Sequence, residues 1–156
     1  MNNHEFHLSD AIDVIEEILQ TGGEFRMYPK GTSMLPLLVQ GRDSVVLKRK
    51  PESQIKKHDI LFYRRDNGQF VLHRLMKKKR DGTFILCGDN QTTLERHLRP
   101  DQIIGYVSQI YKGDQLLSLR SPSHRAYMLF WMWMPLRRIV FFVRRCLRFL
   151  RRKIKG

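Results

Sequence analysis

Between residue 24 and about residue 120 the chain repeats one pattern, a short run rich in Val, Ile, Leu, Phe and Tyr followed by a turn signal. The runs are DSVVLK, DILFYRR, FVLHRLM, TFILCG, IIGYVSQIY and QLLSLR. Asp66-Asn67-Gly68 and Asp81-Gly82 separate neighbouring runs and are typical of hairpin turns. Many short strands joined by such turns predict a mostly β domain, built as an antiparallel sheet or a partly closed barrel.

The segment before the first run has a different periodicity. SDAIDVIEEILQTGG carries apolar residues at helical spacing, which predicts a short amphipathic helix. Ser9 is a candidate cap at its start, and Gly22 or Gly23 can end it. We therefore expect an N-terminal helical segment over residues 1–23 and a β-rich domain over residues 24–120.

The positive charge of the chain is concentrated at its C-terminal end. The formal net charge is +14, and no Asp or Glu follows Asp114. Because residues 124–156 contain ten Arg and Lys, only about +4 remains for the first 123 residues, which is ordinary for a soluble domain. Residues 121–156 are therefore a basic apolar segment, for which we expect one amphipathic helix.

This C-terminal segment has the character of a membrane-interface helix. Its uncharged run AYMLFWMWMPL (126–136) is shorter than the about 20 residues that a spanning helix needs. From Ile139 onward, arginines alternate with apolar blocks, as in helices that lie in the interface. We expect membrane contact over residues 126–155, favoured by Trp131 and Trp133. A re-entrant arrangement and a helix that covers the sheet with its arginines in water remain open.

Nucleic acid is a less favoured partner for the same segment. Arginines on a helix attract phosphates without sequence preference. However, large aliphatic residues and phenylalanines lie between these arginines, and no zinc-finger spacing or RNA-binding aromatic motif accompanies them.

The cysteines and the N-terminus favour a cytoplasmic setting. Cys87 and Cys146 are the only cysteines, and their contexts suit neither a disulfide framework nor a metal-ligand cluster. The polar, acidic N-terminus lacks the apolar core of a signal peptide. We expect a location in the cytoplasm or on the cytoplasmic face of the membrane, and neither a metal nor an organic cofactor is implied.

The segment YPKGTSMLPLL (28–38) contains the first candidate for chemistry, Ser33. Gly31 permits a tight turn before the serine, and Pro36 restricts the backbone after it. Such a segment suits a hydroxyl at the lip of a groove, although it is also compatible with an ordinary loop. A serine hydroxyl becomes a good nucleophile when a nearby base takes its proton.

Three later residues are candidates to complete such a site. His73 lies in the predicted strand FVLHRLM, on the same side as Val71 and Leu75. Asp89 and Glu95 follow the strand TFILCG, and either acid could orient the histidine in a triad. A buried core histidine and a side-chain-capped turn at Asp89 are the alternatives.

Several segments in and around these residues resemble a known family. They are GTSMLP (31–36), LVQGRDSVVL (38–47), KHDILF (57–62), VLHRLM (71–76), CGDNQ (87–91) and IIGYV (103–107). In this order they are similar to the motifs of type I signal peptidases, over about residues 24–110. VLHRLM is similar to the box of the endoplasmic-reticulum, archaeal and sporulation-type branch, in which histidine replaces the general-base lysine.

The resemblance implies the fold shared by signal peptidases and repressor peptidases, and a serine endopeptidase that cleaves a leader or signal peptide. It implies that Ser33 attacks the scissile carbonyl, that His73 is the general base, and that the Ser33 N–H stabilises the oxyanion. It also implies a groove in which an extended peptide binds as an added strand. The residues expected to shape that groove are Gly31, Thr32, Met34 and Pro36.

The chain departs from the family pattern at three points. Gly31 stands where the bacterial branch often has a hydroxyl that assists the oxyanion. Glu95 stands where an orienting aspartate is usual, so Glu95 and Asp89 are both retained as catalytic candidates. The N-terminal transmembrane anchor of the family is absent from this sequence, so membrane contact would have to come from the C-terminal helix.

Other functions remain open at the level of sequence. A catalytically inactive peptide-binding module on the same fold is the strongest alternative, because of Gly31 and Glu95. The run Lys77-Lys78-Lys79-Arg80 could supply a general-base lysine, although it is more typical of a solvated loop end. A third class is a membrane- or nucleic-acid-binding protein whose main function resides in the tail.

Overall fold

The computed structural model of the chain describes residues 8–118 and 121–154. The chain divides into two compact units, of which the first ends at Leu117 and the second begins at Ser118. The first unit is mostly β, as expected. Its elements are α1 (Leu8–Gln20), β1 (Phe25–Met27), β2 (Ser44–Lys48), β3 (Ile60–Arg64), β4 (Phe70–Lys78), β5 (Phe84–Cys87), β6 (Glu95–Leu98), β7 (Ile103–Lys112) and β8 (Gln115–Leu116), with short 3-10 helices at Glu52–Gln54 and Pro100–Gln102.

The strands form one antiparallel sheet in the order β1-β2-β7-β3-β4-β5-β6, and β8 pairs with β7. Each of the six predicted runs contains a strand, although the strand in QLLSLR covers only residues 115 and 116 and the last two residues of that run lie outside the described part of the chain. The predicted hairpin turns are confirmed: Arg65 and Gln69 close one, and Lys79 and Thr83 close the other. The sequence pattern missed β1 and β6, because the former is very short and the latter, ERHL, is mostly charged.

Helix α1 ends as predicted but begins earlier. Ser9 lies inside the helix, which starts at Leu8, so its expected role as the N-cap is wrong. At the other end Gly22 has a φ of 84°, and the Gly23 N–H donates to the carbonyl of Ile18 at 2.8 Å. This is the Schellman arrangement, in which a left-handed glycine satisfies the last carbonyls of a helix.

Strands β3 and β4 bring the candidate histidine into the core. Leu61 and Tyr63 of β3 pair with His73 and Val71 of β4, respectively. Side chains alternate along a strand, so Val71, His73 and Leu75 share one face, as predicted. The members of the core cluster on this side are Ile55, Leu61, Tyr63, Leu75, Phe84, Leu86 and Leu98.

The second unit consists of two helices, α2 (Pro122–Trp131) and α3 (Met134–Ile154), so the expectation of one C-terminal helix is wrong. The physical reason lies at Pro135, which has no N–H to donate to the Trp131 carbonyl four residues earlier. The buried Arg137 donates to that carbonyl instead, from Nε at 3.2 Å and from Nη2 at 3.1 Å. A cation at the C-terminal end of α2 also complements the helix dipole.

The two helices are bent by 80° at this break. Within the described residues, neither helix alone is long and apolar enough to cross a membrane. Pro122–Trp131 and Met134–Leu147 meet the length and composition criteria only when they are taken together.

Candidate active site

Ser33 lies in the connection between β1 and β2, which is folded into tight turns. The N–H of Leu35 donates to the Thr32 carbonyl at 3.2 Å, and the N–H of Leu38 donates to the Met34 carbonyl at 2.9 Å. Met34 and Leu38 are buried and anchor the segment in the core, whereas Ser33 is half-buried. The local sequence explains this arrangement, because the polar residues before the serine are exposed and most of the apolar residues after it are buried, which leaves the serine at the boundary.

The turn after β5 holds the Ser33 segment in place. The backbone N–H of Asn90 donates to the Ser33 carbonyl at 2.7 Å, and the Asn90 side chain donates to the Thr32 carbonyl at 3.1 Å. Gly88 makes this close approach possible. A Cβ atom at Gly88 would stand 2.6 Å from the Ser33 carbonyl oxygen and 3.0 Å from Nε2 of His73.

His73 is buried, and its Nδ1 atom meets one partner on the neighbouring strand β3 and one on β6, beyond β5. Nδ1 lies 2.9 Å from Oε1 of Glu95 and 3.2 Å from the Tyr63 hydroxyl. Tyr63 also donates to Oε2 of Glu95 at 2.7 Å. Arg65 completes the cluster with Nε 3.0 Å from Oε2 and a second contact from Nη2 to Oε1.

This cluster keeps Glu95 ionised. Burial opposes the charged form, but hydrogen bonds from His73, Arg65 and Tyr63 outweigh burial and hold the pKa of Glu95 well below its usual range. Burial, together with the hydrogen bond to Glu95, raises the pKa of Tyr63, so this hydroxyl stays protonated. Because a carboxylate only accepts hydrogen bonds, Nδ1 of His73 must carry the proton toward Glu95. In the neutral imidazole, Nε2 is then a lone-pair acceptor.

Nε2 of His73 lies close to the Ser33 segment. The carbonyl of Ser33 and Nε2 both lie beside Gly88, and both residues line the same cavity. Among the described residues, neither Nε2 of His73 nor the hydroxyl or the N–H of Ser33 has a hydrogen-bond partner. Two residues that line one groove thus carry a base with a vacant lone pair and, at Ser33, a hydroxyl and a backbone donor.

Asp89, the second acid retained from the sequence, has a different role. Its buried carboxylate receives two hydrogen bonds from Arg74, Nε to Oδ1 at 2.8 Å and Nη2 to Oδ2 at 2.7 Å. Arg74 also donates to the carbonyl of His58 at 2.9 Å. Glu95, and not Asp89, therefore hydrogen-bonds His73. Asp89 instead ties the turn beside Ser33 to strand β4.

The groove has a volume of about 460 Å³, within the range typical of ligand sites. Its lining residues are Pro29, Lys30, Gly31, Ser33, Met34, Leu38, Arg65, Gln69, Phe70, Val71, Leu72, His73 and Gln91. Of the residues predicted to shape it, Gly31 and Met34 do line it. Thr32 and Pro36 are not among the lining residues, and the Thr32 carbonyl accepts a hydrogen bond from the Asn90 side chain.

One wall of the groove is an open strand edge. Pairing of β4 with β5 begins at Arg74, so residues 70–73 pair only with β3. Next to the β3–β4 ladder, the N–H of Leu75 donates to the Asp59 carbonyl and the N–H of Arg65 donates to the Gln69 carbonyl. Residues of an antiparallel pair point their N–H and C=O groups alternately toward and away from the partner strand, and these two bonds show which residues of β4 point toward β3. By that alternation the N–H and C=O groups of Phe70 and Leu72 point away from β3, toward the groove.

The basic run after His73 does not contribute to this groove. Lys78 donates to the carbonyl of Glu52 at 3.0 Å, and Lys79 pairs with Asp81 at 3.0 Å. Lys77 and Arg80 are exposed and absent from the lining residues. No group of three or more His, Cys, Asp and Glu that could hold a metal ion occurs within residues 8–118 and 121–154.

Sequence reasoning missed Tyr63, Arg65 and Asn90 as parts of the site. One signal could have found Tyr63. The turn at residues 66–68 sets the hairpin register, which places Tyr63 beside Val71 and on the face of His73. Nothing local marks Arg65, since its partner Glu95 is 30 residues away.

Comparison with known proteins leaves the chain without an assigned family. Neither the protein-family models, nor the curated proteins, nor the solved structures include a match to it. The likeness to signal peptidases therefore depends on the motifs of the chain itself.

Proposed function

We propose that this protein is a serine endopeptidase of the signal-peptidase type that cleaves a leader or signal peptide. The observation that carries the proposal is the arrangement around His73. Its Nδ1 atom is hydrogen-bonded to an ionised Glu95, and its Nε2 acceptor lies near the carbonyl of Ser33. A nucleophile, a base and an acid that orients the base are the parts of a catalytic triad.

The chemistry follows from these positions. His73 Nε2 takes the proton from the Ser33 hydroxyl as Oγ attacks the scissile carbonyl carbon, and the oxyanion receives the Ser33 N–H. The imidazolium gives its proton to the leaving amine as the C–N bond breaks, which leaves an acyl-serine. Water then adds to the ester, again with His73 as base, and releases the new carboxyl terminus. Glu95 stabilises the imidazolium in both halves.

The open edge of β4 supports a peptide substrate. An extended chain laid along residues 70–73 can pair with the backbone groups of Phe70 and Leu72. The Ser33 segment also lines this groove. Backbone pairing with β4 would fix the position of the substrate, so that its scissile carbonyl lies at Ser33. The Ser33 segment would determine which substrate side chains fit the groove.

Peptide cleavage by purified protein tests the proposal. The substrates are peptides with small residues before the scissile bond, and the variants are Ser33→Ala and His73→Gln, which keeps a buried polar group. Ser53→Ala removes an exposed hydroxyl outside the groove and is the matched control. We expect cleavage by the wild type and the control only, together with an acyl adduct on Ser33 detected by mass spectrometry. Undiminished cleavage by Ser33→Ala would refute this mechanism.

A peptide-binding module without catalysis is the second candidate. It is favoured by the missing hydrogen bond between the Ser33 hydroxyl and His73, since the groove and the strand edge are complete without that bond. The two candidates differ in a direct measurement. A binding module retains a labelled peptide intact, with unchanged affinity in Ser33→Ala and His73→Gln, whereas the peptidase converts it to products.

A further inference from the structure

We propose that the C-terminal unit, residues 121–154, docks on a membrane surface that contains anionic lipid. This goes beyond the proposed peptidase activity and is carried by different residues. The lipid surface is identified by two properties of the unit: an exposed apolar face and a high positive charge with no acidic residue.

Helix α3 is divided lengthwise into two faces. Ile139, Phe142, Val143 and Leu147 are exposed by 46–68% of their surface, and their spacing places them on one side of the helix. Arg138, Arg144 and Arg145 are exposed on the other side. Further along the sequence, three more arginines follow, at positions 148, 151 and 152. A helix with this division suits the boundary between lipid headgroups and acyl chains.

The first helix and the bend add further exposed apolar groups. Leu129 and Phe130 of α2 are exposed by 72% and 61%, and Trp133 between the helices by 60%. Tryptophan is enriched at the level of lipid headgroups. Large apolar side chains that are exposed in such number mark an interaction surface rather than ordinary surface composition.

The bend itself favours a surface arrangement. Arg137 is buried, and its guanidinium is held at the Trp131 carbonyl, so the break between α2 and α3 is part of the packed structure. A straight spanning helix through this point would lose these hydrogen bonds and carry Arg137 and Arg138 near the bilayer centre, which is costly. At the interface the arginines remain in water or among phosphates.

Charge complementarity selects an anionic surface. No Asp or Glu follows Asp114, so the unit has no acidic side chain to balance the charge of its arginines. Each Lys or Arg near an anionic leaflet strengthens binding by roughly fivefold. A nucleic acid would use the arginines alone and would leave the apolar face in water. A lipid surface engages both faces.

Vesicle flotation of the full chain tests this inference. Vesicles of phosphatidylcholine, with or without phosphatidylglycerol, are compared at low and high salt. Phe142→Gln/Leu147→Gln changes only exposed apolar residues, and Arg144→Gln/Arg145→Gln removes two positive charges. Lys77→Gln/Arg80→Gln removes two exposed charges from the β unit and is the matched control. Circular dichroism confirms that each variant is folded.

Intrinsic fluorescence provides a readout limited to this unit. The only two tryptophans of the chain, Trp131 and Trp133, both lie within it. Their emission should shift to shorter wavelength on binding, and brominated lipid should quench it. Because flotation and fluorescence need no peptide cleavage, failure of the peptidase proposal would not affect them.

We expect wild type and Lys77→Gln/Arg80→Gln to bind vesicles that contain phosphatidylglycerol. The arginine variant should bind roughly 30-fold more weakly, and the apolar variant should not show the spectral shift. Equal weakening by the control pair would overturn the inference, since it would then reflect net charge alone. Salt-sensitive binding to a DNA duplex without flotation on any vesicle would overturn it in favour of nucleic acid.

Discussion

Substitution of Gly88 by alanine should separate the geometry of the site from the stability of the fold. The added Cβ would stand 2.6 Å from the Ser33 carbonyl oxygen, whereas ordinary contacts begin at 3.4 Å. The Ser33 segment must therefore move by about 0.8 Å, or the turn must move by a similar distance. A displacement of about 1 Å can cost roughly 100-fold in rate, so we expect kcat to fall by roughly 30- to 100-fold.

Gly88→Ala should also lose some stability, so a control with a comparable loss outside the groove is needed. Overpacking of one methyl group costs about 1–3 kcal/mol, and the backbone of Gly88 has no positive φ that alanine would strain. Gly113→Ala is the matched control, because its φ of 59° imposes about 1–2 kcal/mol of strain in the β7–β8 turn, outside the groove lining.

The assay combines urea unfolding with steady-state cleavage of the peptide used above. Gly113→Ala should lose comparable stability and keep its kcat. If Gly88→Ala cleaves at the wild-type rate while folded, the close approach of this turn does not position Ser33, and the reasoning fails. Equal losses of kcat in both variants would show that the effect is one of stability rather than geometry.

Three further predictions concern the acids. Glu95→Gln should lower kcat by about 10²- to 10⁴-fold with little change in KM, because it removes the group that orients His73; unchanged kcat would exclude this role. Asp89→Ala should lower the free energy of unfolding by about 3–5 kcal/mol in urea titrations, since it leaves the buried Arg74 without its carboxylate, and a loss below about 1 kcal/mol would contradict the burial of this pair. Burial opposes ionisation of Asp43 and Glu95, but hydrogen bonds hold both pKa values below their ordinary values of 3.8 and 4.5; the donors are Arg42 and Lys112 for Asp43, and His73, Arg65 and Tyr63 for Glu95. Such groups contribute their full stabilisation above those ordinary values and lose it as pH falls from there through the lower pKa values of the folded state. The melting temperature should therefore drop on acidification below about pH 5, less steeply in Asp43→Asn.

Local sequence patterns were sufficient for most of the secondary structure of the first unit. Strands β2, β3, β4, β5 and β7 coincide with apolar runs, because a strand in a half-buried sheet needs little more than alternation and a turn at each end. The weak points were elements without that pattern. β6 is largely charged, and β8 covers only two residues of the run that predicted it.

The C-terminal segment shows the limit of a local pattern. Its amphipathic character was readable from the sequence. The break was not readable, although Pro135 follows it in the first turn of α3, because proline is tolerated in the first turn of a helix and disrupts a helix only further in. The break is stabilised by Arg137, which reaches back to the Trp131 carbonyl, and nothing in the charge pattern distinguishes this arginine from its exposed neighbours.

By itself, the sequence determined which residues are able to do chemistry here: a serine in a restrained turn, a histidine on an apolar strand face, and two acids after the next strand. The tertiary structure decided which acid meets the histidine. Cys87 of β5 pairs with Arg74 of β4, and Leu86 of β5 pairs with Glu95 of β6. This register places Glu95 beside His73 and Asp89 beside Arg74. Register depends on contacts between strands far apart in the chain, whereas residue chemistry and periodicity are local.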